Sequence, residues 1–458
     1  MNDSQIAARF RTAPGPQRHL RVAHRDGAVT PGDLSAAVAV ARAAESFDSS
    51  LYALVAVLVL PTLLAAATAP GLGLWAALAL LALAPLVRPL GSWAGQALQQ
   101  RLGRGWQLTL ATLGGAAASS LTGLLPLSAE PGALVLAGWL VCRLAQGLAQ
   151  GAAWDALPAQ LALQVPAAQR SRCERLGQLG APAGMALAVA LVAGLHLALG
   201  ADEFLAWGWR FPFMVALAIH GVALFGRLQL TLDDEAHGAQ PPAEFRLCTP
   251  AELLHLRAGL PQLAAATGLS LAGPALAVLA LVLPLAWASL QVPASLPGLL
   301  PWLLPAAALA AAGVALAGPL TRQLGERPAL AALLVATGLV GLVSPWLLDG
   351  GASGQRMFML LGGALAGAVL ALTGPVVLPL FSLHRRHAGT ALAAGLAGAL
   401  AALLPLAVLA GTGWLGAAAP ALVLVGTAAG GLVALRLPPP TAAQPGQGRL
   451  WWLKLDLA

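Results

Sequence analysis

The sequence predicts an all-α integral membrane protein of about twelve transmembrane helices in two six-helix bundles. Three observations predict it. First, 58% of the 458 residues are hydrophobic, only 9% are charged and the mean hydropathy is +0.78. Soluble domains carry roughly 25% charged residues. Second, the chain divides into runs that reach the roughly 20 apolar residues a helix needs to cross a bilayer. Third, residues 88–106 (RPLGSWAGQALQQRLGRGW) have a weaker echo at residues 318–328 (GPLTRQLGERP). Setting Gly103 against Gly325 makes the chain read as two related halves.

In order, the apolar runs lie near residues 36–66, 73–97, 106–127, 132–162, 177–200 and 208–231, then 261–291, 296–318, 328–348, 355–381, 388–412 and 415–437. Gly and Pro are scattered through them, as membrane helices tolerate. The runs divide the chain into an N-terminal arm (1–34), a first bundle (35–231), a polar linker (232–260) containing DDEAHGAQPPAEFR, a second bundle (261–437) and a tail (438–458). The arm lacks the apolar core of a cleaved signal peptide.

Arginines set the orientation. Arg9 to Arg25, Arg101 and Arg104, Arg170 to Arg175, Arg246 and Arg257, Arg322 and Arg327, Arg385 and Arg386, then Arg436 and Lys454 fall in the arm, alternate loops and the tail. The opposite loops carry Glu130, Asp202, Glu203 and Asp349, or nothing charged, with Arg210 and Arg356 as two exceptions near span ends. By the positive-inside rule both termini are cytoplasmic. The net charge of +7 is thereby accounted for, and without a basic stripe interleaved with aromatics no nucleic-acid partner is expected. The expected surroundings are the lipid bilayer, with the chain as a monomer.

Cys142, Cys173 and Cys248 have no metal-ligand or disulfide spacing. There is no Walker loop, metal cluster or Ser-His-Asp arrangement, so neither cofactor, metal nor enzymatic activity is expected.

What remains is a set of ionisable residues inside apolar helices. Arg42, Glu45, Asp48 and Tyr52 are spaced three, three and four apart and line one helical stripe. A central Asp, Lys or Arg costs about 2.5–3.5 kcal/mol on translocon scales, so retained carboxylates need partners or a wet cavity. Asp48, a turn deeper than Glu45, is the better proton site, whereas Glu45 and Arg42 can reach interfacial water. Arg143, midway along the fourth span, presents a fork that pairs a carboxylate bidentately. Its structural alternative is an ion pair with Asp48 or Asp155. Gln146, Gln150 and Trp154 share its face within about 60°, while Asp155 lies about 120° round as a second proton candidate. The two glutamines could equally be interhelical glue. Arg88 stands near the loop and reads as a gate residue; His196 and His220 read as satisfied core histidines.

These residues fall in a recognisable order. Residues 45–52 (ESFDSSLY), 88–91 (RPLG), 143–147 (RLAQG), 178–182 (QLGAP) and 207–213 (WGWRFPF) resemble the metabolite:H+ symporter family of the major facilitator superfamily. The second half resembles it weakly through Gly325, Phe381, Arg386 and Gly389. The resemblance implies the major facilitator fold and proton-driven uptake of a small organic acid or zwitterion across a bacterial inner membrane. On the chain's own spacing and depth, the proton-coupling candidates are Asp48, Glu45 and Asp155, the substrate-contact candidates Arg143, Gln146, Gln150, Trp154 and Tyr52, and the gating loop Arg88, Gln100, Arg101, Gly103 and Arg104. The chain has Gln100, Ala153 and Arg322 where the family usually has acidic residues, which favours an alternative, an uncoupled facilitator or exporter. The polar arm and linker alone speak for a non-transporting membrane sensor. WGWRFPF and the tail tryptophans Trp451 and Trp452 suit interfacial anchoring. Thr373, Gly374, Pro375 and Pro379 should break the tenth helix, and Ala394 and Gly398 should make close contacts in the next.

Overall fold

The computed structural model describes residues 30–64, 72–125, 133–154, 165, 167–236, 259–291, 296–381 and 386–437. The described residues contain twelve long helices and no strand: α1 Pro31–Leu58, α2 Gly73–Leu102, α3 Arg104–Leu124, α4 Ala133–Trp154, α5 Gly180–Ala206 and α6 Phe211–Ala236 in the first half, and α7 Leu260–Gln291, α8 Leu303–Leu324, α9 Glu326–Asp349, α10 Gly351–Val377, α11 Arg386–Leu415 and α12 Ala419–Leu435 in the second. A shorter helix, Ala167–Gln178, joins α4 to α5. Among the described residues, nine stretches are long and apolar enough to cross a membrane, the last (389–435) taking in both α11 and α12. The two long helices outside those stretches are α1 and α3.

Helix α1 begins inside the segment assigned from sequence to the arm. Thr30 accepts from the Asp33 backbone N–H at 3.2 Å while Asp33 accepts from the Thr30 N–H at 3.1 Å. This capping box, followed by Pro31, starts the helix five residues before the apolar run near 36. At the other end of the first half, α6 continues through Asp233, Asp234 and Glu235, which the sequence placed in the linker.

The internal echo is a shared backbone device. Gly103 (φ 87°, ψ 168°) separates α2 from α3, and Gly325 (φ 85°, ψ 164°) separates α8 from α9. Both lie at positive φ, which a side chain strains. Close packing repeats too. A Cβ on Gly147 or Gly151 of α4 would lie 2.2 or 2.1 Å from the carbonyl oxygen of Ala84 or Arg88 on α2. One on Gly367 of α10 or Gly313 of α8 would meet the carbonyl of Ala310 or Ala364 at 2.0 or 2.2 Å. Small residues let these backbones touch where lipid supplies no hydrophobic drive between helices.

The halves meet near both ends of their helices. At one end Leu51 to Leu64 of the first half pack with Val282, Leu285, Leu300 and Leu303 of the second in one apolar cluster. Nearer the Gly103 and Gly325 turns, Gly395 lies against Pro89 and Gly318 against the Arg175 guanidinium.

Several sequence expectations are corrected. Helix α10 runs through Thr373, Gly374 and Pro375 and gives way to a 3-10 turn only at Leu378–Leu380. A proline costs one backbone bond, which neighbouring helices can cover. In α11 the glycines in close contact are Gly389 against Phe381, Gly411 against Ala419 and Gly395 against Pro89, while the position of Gly398 is open. Trp209 is no interfacial anchor: it is fully buried, with its ring 5.9 Å from those of Trp139 and Phe213. Trp207 beside it is exposed. Trp451 and Trp452 lie outside the described residues.

Candidate functional site

Four helices of the first half aim polar side chains at one another. The α1 stripe presents Glu45, Asp48 and Tyr52, α4 presents Arg143, Gln146 and Gln150, α3 contributes Thr112 and Ser119, and α6 contributes His220 and Arg227. The last two pairs are each seven residues apart, one face over two helical turns.

Asp48 has no exposed surface. One carboxylate oxygen accepts from the Ser119 hydroxyl at 2.9 Å. The other accepts from the Gln146 amide at 3.1 Å and lies 3.4 Å from Nε2 of His220. The same Gln146 amide accepts, through its oxygen, from Nη1 of Arg143. Gln146 therefore stands between carboxylate and guanidinium, and the ion pair weighed from sequence is replaced by an amide bridge. His220, read from sequence as a core histidine, joins the site instead of standing alone.

Arg143 is 3% exposed. Its Nε donates to the Leu80 carbonyl at 3.1 Å and its Nη2 to the Leu81 carbonyl at 2.8 Å. In a regular helix Leu81 would be bonded by the residue four on, but that residue is Pro85, which has no N–H. The guanidinium caps the orphaned carbonyl and lies 3.6 Å above the Tyr52 ring. Tyr52 is itself fully buried, and its hydroxyl has no hydrogen-bond partner, a costly state that a bound polar group would relieve.

Glu45 pairs with Arg88 at 3.1 Å, the two side chains keeping 15% and 22% exposure. A cavity of about 20 Å³, the room of about one water, lies among Glu45, Thr112, Gln150, His220 and Arg227. Gln150 thus faces the interior of the first bundle, one turn beyond Gln146. In the proposed gating loop, Arg101 and Gly103 are exposed, whereas the side chains of Gln100 and Arg104 lie outside the described residues. So do Asp155 and the side chain of Trp154, the last residue of α4.

The polar side chains that sequence reasoning missed are Ser119, Thr112 and Arg227. The available signal was the seven-residue repeat of polar positions on two otherwise apolar helices.

The profile of the Major Facilitator Superfamily matches residues 38–394. The chain belongs to this superfamily. Its members named here are transporters, not enzymes. A Haemophilus influenzae relative is 27% identical over 82% of this chain and 88% of its own length. The "inner membrane metabolite transport protein YhjE" of Escherichia coli is 30% identical over 42% of this chain, and the "proline/betaine transporter" of Salmonella typhimurium is 29% identical over 42%. For these two the matched region spans only 43% and 38% of the relative's length. Among solved structures, the proton:xylose symporter XylE shares the fold at a TM-score of 0.65 and 17% identity, over 88% of this chain and 94% of that one. In this superfamily member the described polar constellation lies in the first half.

Proposed function

We propose that this chain is a proton-coupled symporter that carries a small organic acid or zwitterion by alternating access. The observation that carries the reading is Asp48: a carboxylate with no exposed surface, tied through Gln146 to Arg143. Protonating Asp48 turns one of its oxygens from acceptor to donor, which upsets the hydrogen bond from Gln146. The other end of that amide holds Arg143, so the proton state of Asp48 and the freedom of the guanidinium are linked through one side chain. A solute carboxylate would replace Gln146 on Arg143 and accept from the unpartnered Tyr52 hydroxyl. The names of relatives that transport proline, betaine or shikimate agree with such a solute.

The halves meet through an apolar cluster at one end and, toward the other, through Gly395 on Pro89 and Gly318 on the Arg175 guanidinium. In this reading Glu45 and Arg88 act at the Gly103 side, both termini are cytoplasmic, and the bacterial inner membrane is the site of action. Family membership favours transport over the sensor. Gln100, Ala153 and Arg322 favour the second reading, an uncoupled facilitator.

Uptake of proline, betaine, shikimate and other small carboxylates into proteoliposomes, with and without an inward proton gradient, tests both. Symport concentrates one of these solutes only when the gradient is present. Equilibration without accumulation in either condition would establish the facilitator.

A further inference from the structure

We propose that His220 is the proton-transfer partner of Asp48, and that the proton travels inside the first bundle, through the cavity between α1, α3, α4 and α6 to Glu45, and not between the two halves. The inference rests on the symport reading and goes beyond it by naming the route.

The geometry fixes the imidazole. Nδ1 of His220 lies 2.9 Å from the Ala216 carbonyl one turn earlier. A carbonyl oxygen can only accept, so Nδ1 carries a hydrogen. Nε2, which faces Asp48 at 3.4 Å, is then the atom that gains or loses a proton. With one proton between them, the two groups exist as carboxylic acid and neutral imidazole or as carboxylate and imidazolium. Both states are neutral overall, and both put one hydrogen between oxygen and nitrogen. With no proton between them, a lone pair would face a buried carboxylate. A neutral pair avoids a net charge in a site where Asp48 has no exposed surface and His220 is 6% exposed.

His220 also lines the cavity, together with Glu45 and Arg227. The transfer balances in two steps. The Asp48 acid gives its proton to Nε2, leaving carboxylate and imidazolium. The imidazolium gives it to a water in the cavity, which passes a proton to the Glu45 carboxylate, and His220 returns to its Nδ1–H form. Glu45 is 15% exposed beside Arg88 and can exchange with solvent. The charged groups facing this file are Arg42 on α1, Arg88 on α2, Arg143 on α4, Arg227 on α6 and Glu174 on the short helix before α5. Among the described residues, the polar side chains that α3 brings to it are uncharged Thr112 and Ser119. Arginines along the path disfavour a free hydronium, so the cavity water takes one proton as it gives up another, and the side chains are the carriers.

The test uses proteoliposomes and radiolabelled proline, the first solute of the uptake screen, with the best-concentrated screen solute in its place if proline is not carried. Two quantities are read: exchange at equal concentrations, which needs no net proton movement, and accumulation driven by an inward proton gradient. His220→Asn can still donate to Ala216 but cannot carry a proton. It should keep exchange within about twofold and lower the accumulation ratio at least tenfold. Ala149→Val adds two methyl groups at the cavity wall and should lower accumulation about threefold to tenfold with exchange spared, which covers the case in which His220→Asn does not fold. His196→Asn replaces a ring that lies tilted against Phe204 at 5.1 Å, on α5, and should match wild type. Full accumulation in His220→Asn, or in Ala149→Val when His220→Asn is inactive, overturns the route and leaves Asp48 standing. Wild-type protein that exchanges solute but never accumulates it overturns the symport reading, and the route with it.

Discussion

Gly103 and Gly325 turn the backbone through nearly the same angles in the two halves, and α2 meets α4 as closely as α8 meets α10. What the halves bury is different. The buried Asp, Arg and His residues among those described, Asp48, Arg143, His220 and Arg227, all belong to the first half. The second half buries Ser270, Thr337, Ser344, Gln355, Thr373 and Thr427, most of which bond the carbonyl of their own helix three or four residues back. Its described charges sit at helix ends, as where Asp349 accepts from Trp287 at 2.9 Å and Gln291 at 3.3 Å. The comparison separates two jobs. Small residues make the scaffold, in duplicate, while one copy also carries costly charge.

If the scaffold is duplicated, it should fail alike on both sides, and this is the largest effect expected. Gly147→Leu and Gly367→Leu each place a side chain where a Cβ alone would lie 2.2 or 2.0 Å from a backbone oxygen. Backbone on both sides cannot yield as a flexible side chain does. Both variants should lose the monodisperse peak in detergent size-exclusion chromatography. A folded Gly147→Leu beside an unfolded Gly367→Leu would show that the helix pairs are not equivalent.

If only the first half carries the proton, Asp48→Asn should abolish gradient-driven accumulation while sparing equal-concentration exchange. Thr373→Val in the second half, which removes only a 2.7 Å bond to the Val369 carbonyl, should leave accumulation within about twofold of wild type. The contrast breaks if accumulation survives Asp48→Asn and Asp155→Asn together.

Within the first half, the two arginines differ in the same direction. Arg143→Lys keeps the charge but cannot hold the Leu80 and Leu81 carbonyls, Gln146 and the Tyr52 ring together. Solute affinity should fall about tenfold, the loss of roughly one charge-assisted hydrogen bond. Arg88→Lys can still reach Glu45 at a partly exposed site and should cost about twofold or less. Equal, near-native affinities measured by binding would return Arg143 to a purely structural role, that of capping the Pro85 break.

Much of this was legible from residue order. The apolar runs gave twelve helices, and the RPLG echo gave Gly103 and Gly325 as partners. The three- and four-residue spacings of Glu45, Asp48 and Tyr52, and of Arg143, Gln146 and Gln150, gave the stripes of α1 and α4. Spacing reports which side chains share a helix face; it does not report which face meets which. His220 was missed for that reason, since its partner Asp48 lies on another helix 172 positions away. The amide between Arg143 and Asp48 was missed because opposite charges suggest a direct pair. Trp209 was misplaced because an aromatic near a helix end fits the interface and the core equally well by sequence.

The smallest effect tests the duplication at its most local point. Gly103→Ala and Gly325→Ala change one atom at exposed turns, where nothing near Gly103 and only a Pro328 carbon at 3.8 Å near Gly325 would meet the new methyl. The cost is therefore conformational. Holding a non-glycine residue at φ near 87° or 85° with ψ near 168° or 164°, a region almost reserved for glycine, should destabilise by about 1–3 kcal/mol. Because the two turns share φ and ψ to within a few degrees, the two losses should agree, read as equal shifts of a few degrees in the detergent melting temperature. Unequal shifts would mean that one turn is held open by contacts its counterpart lacks, and that the two halves diverge in backbone energetics as well as in buried charge.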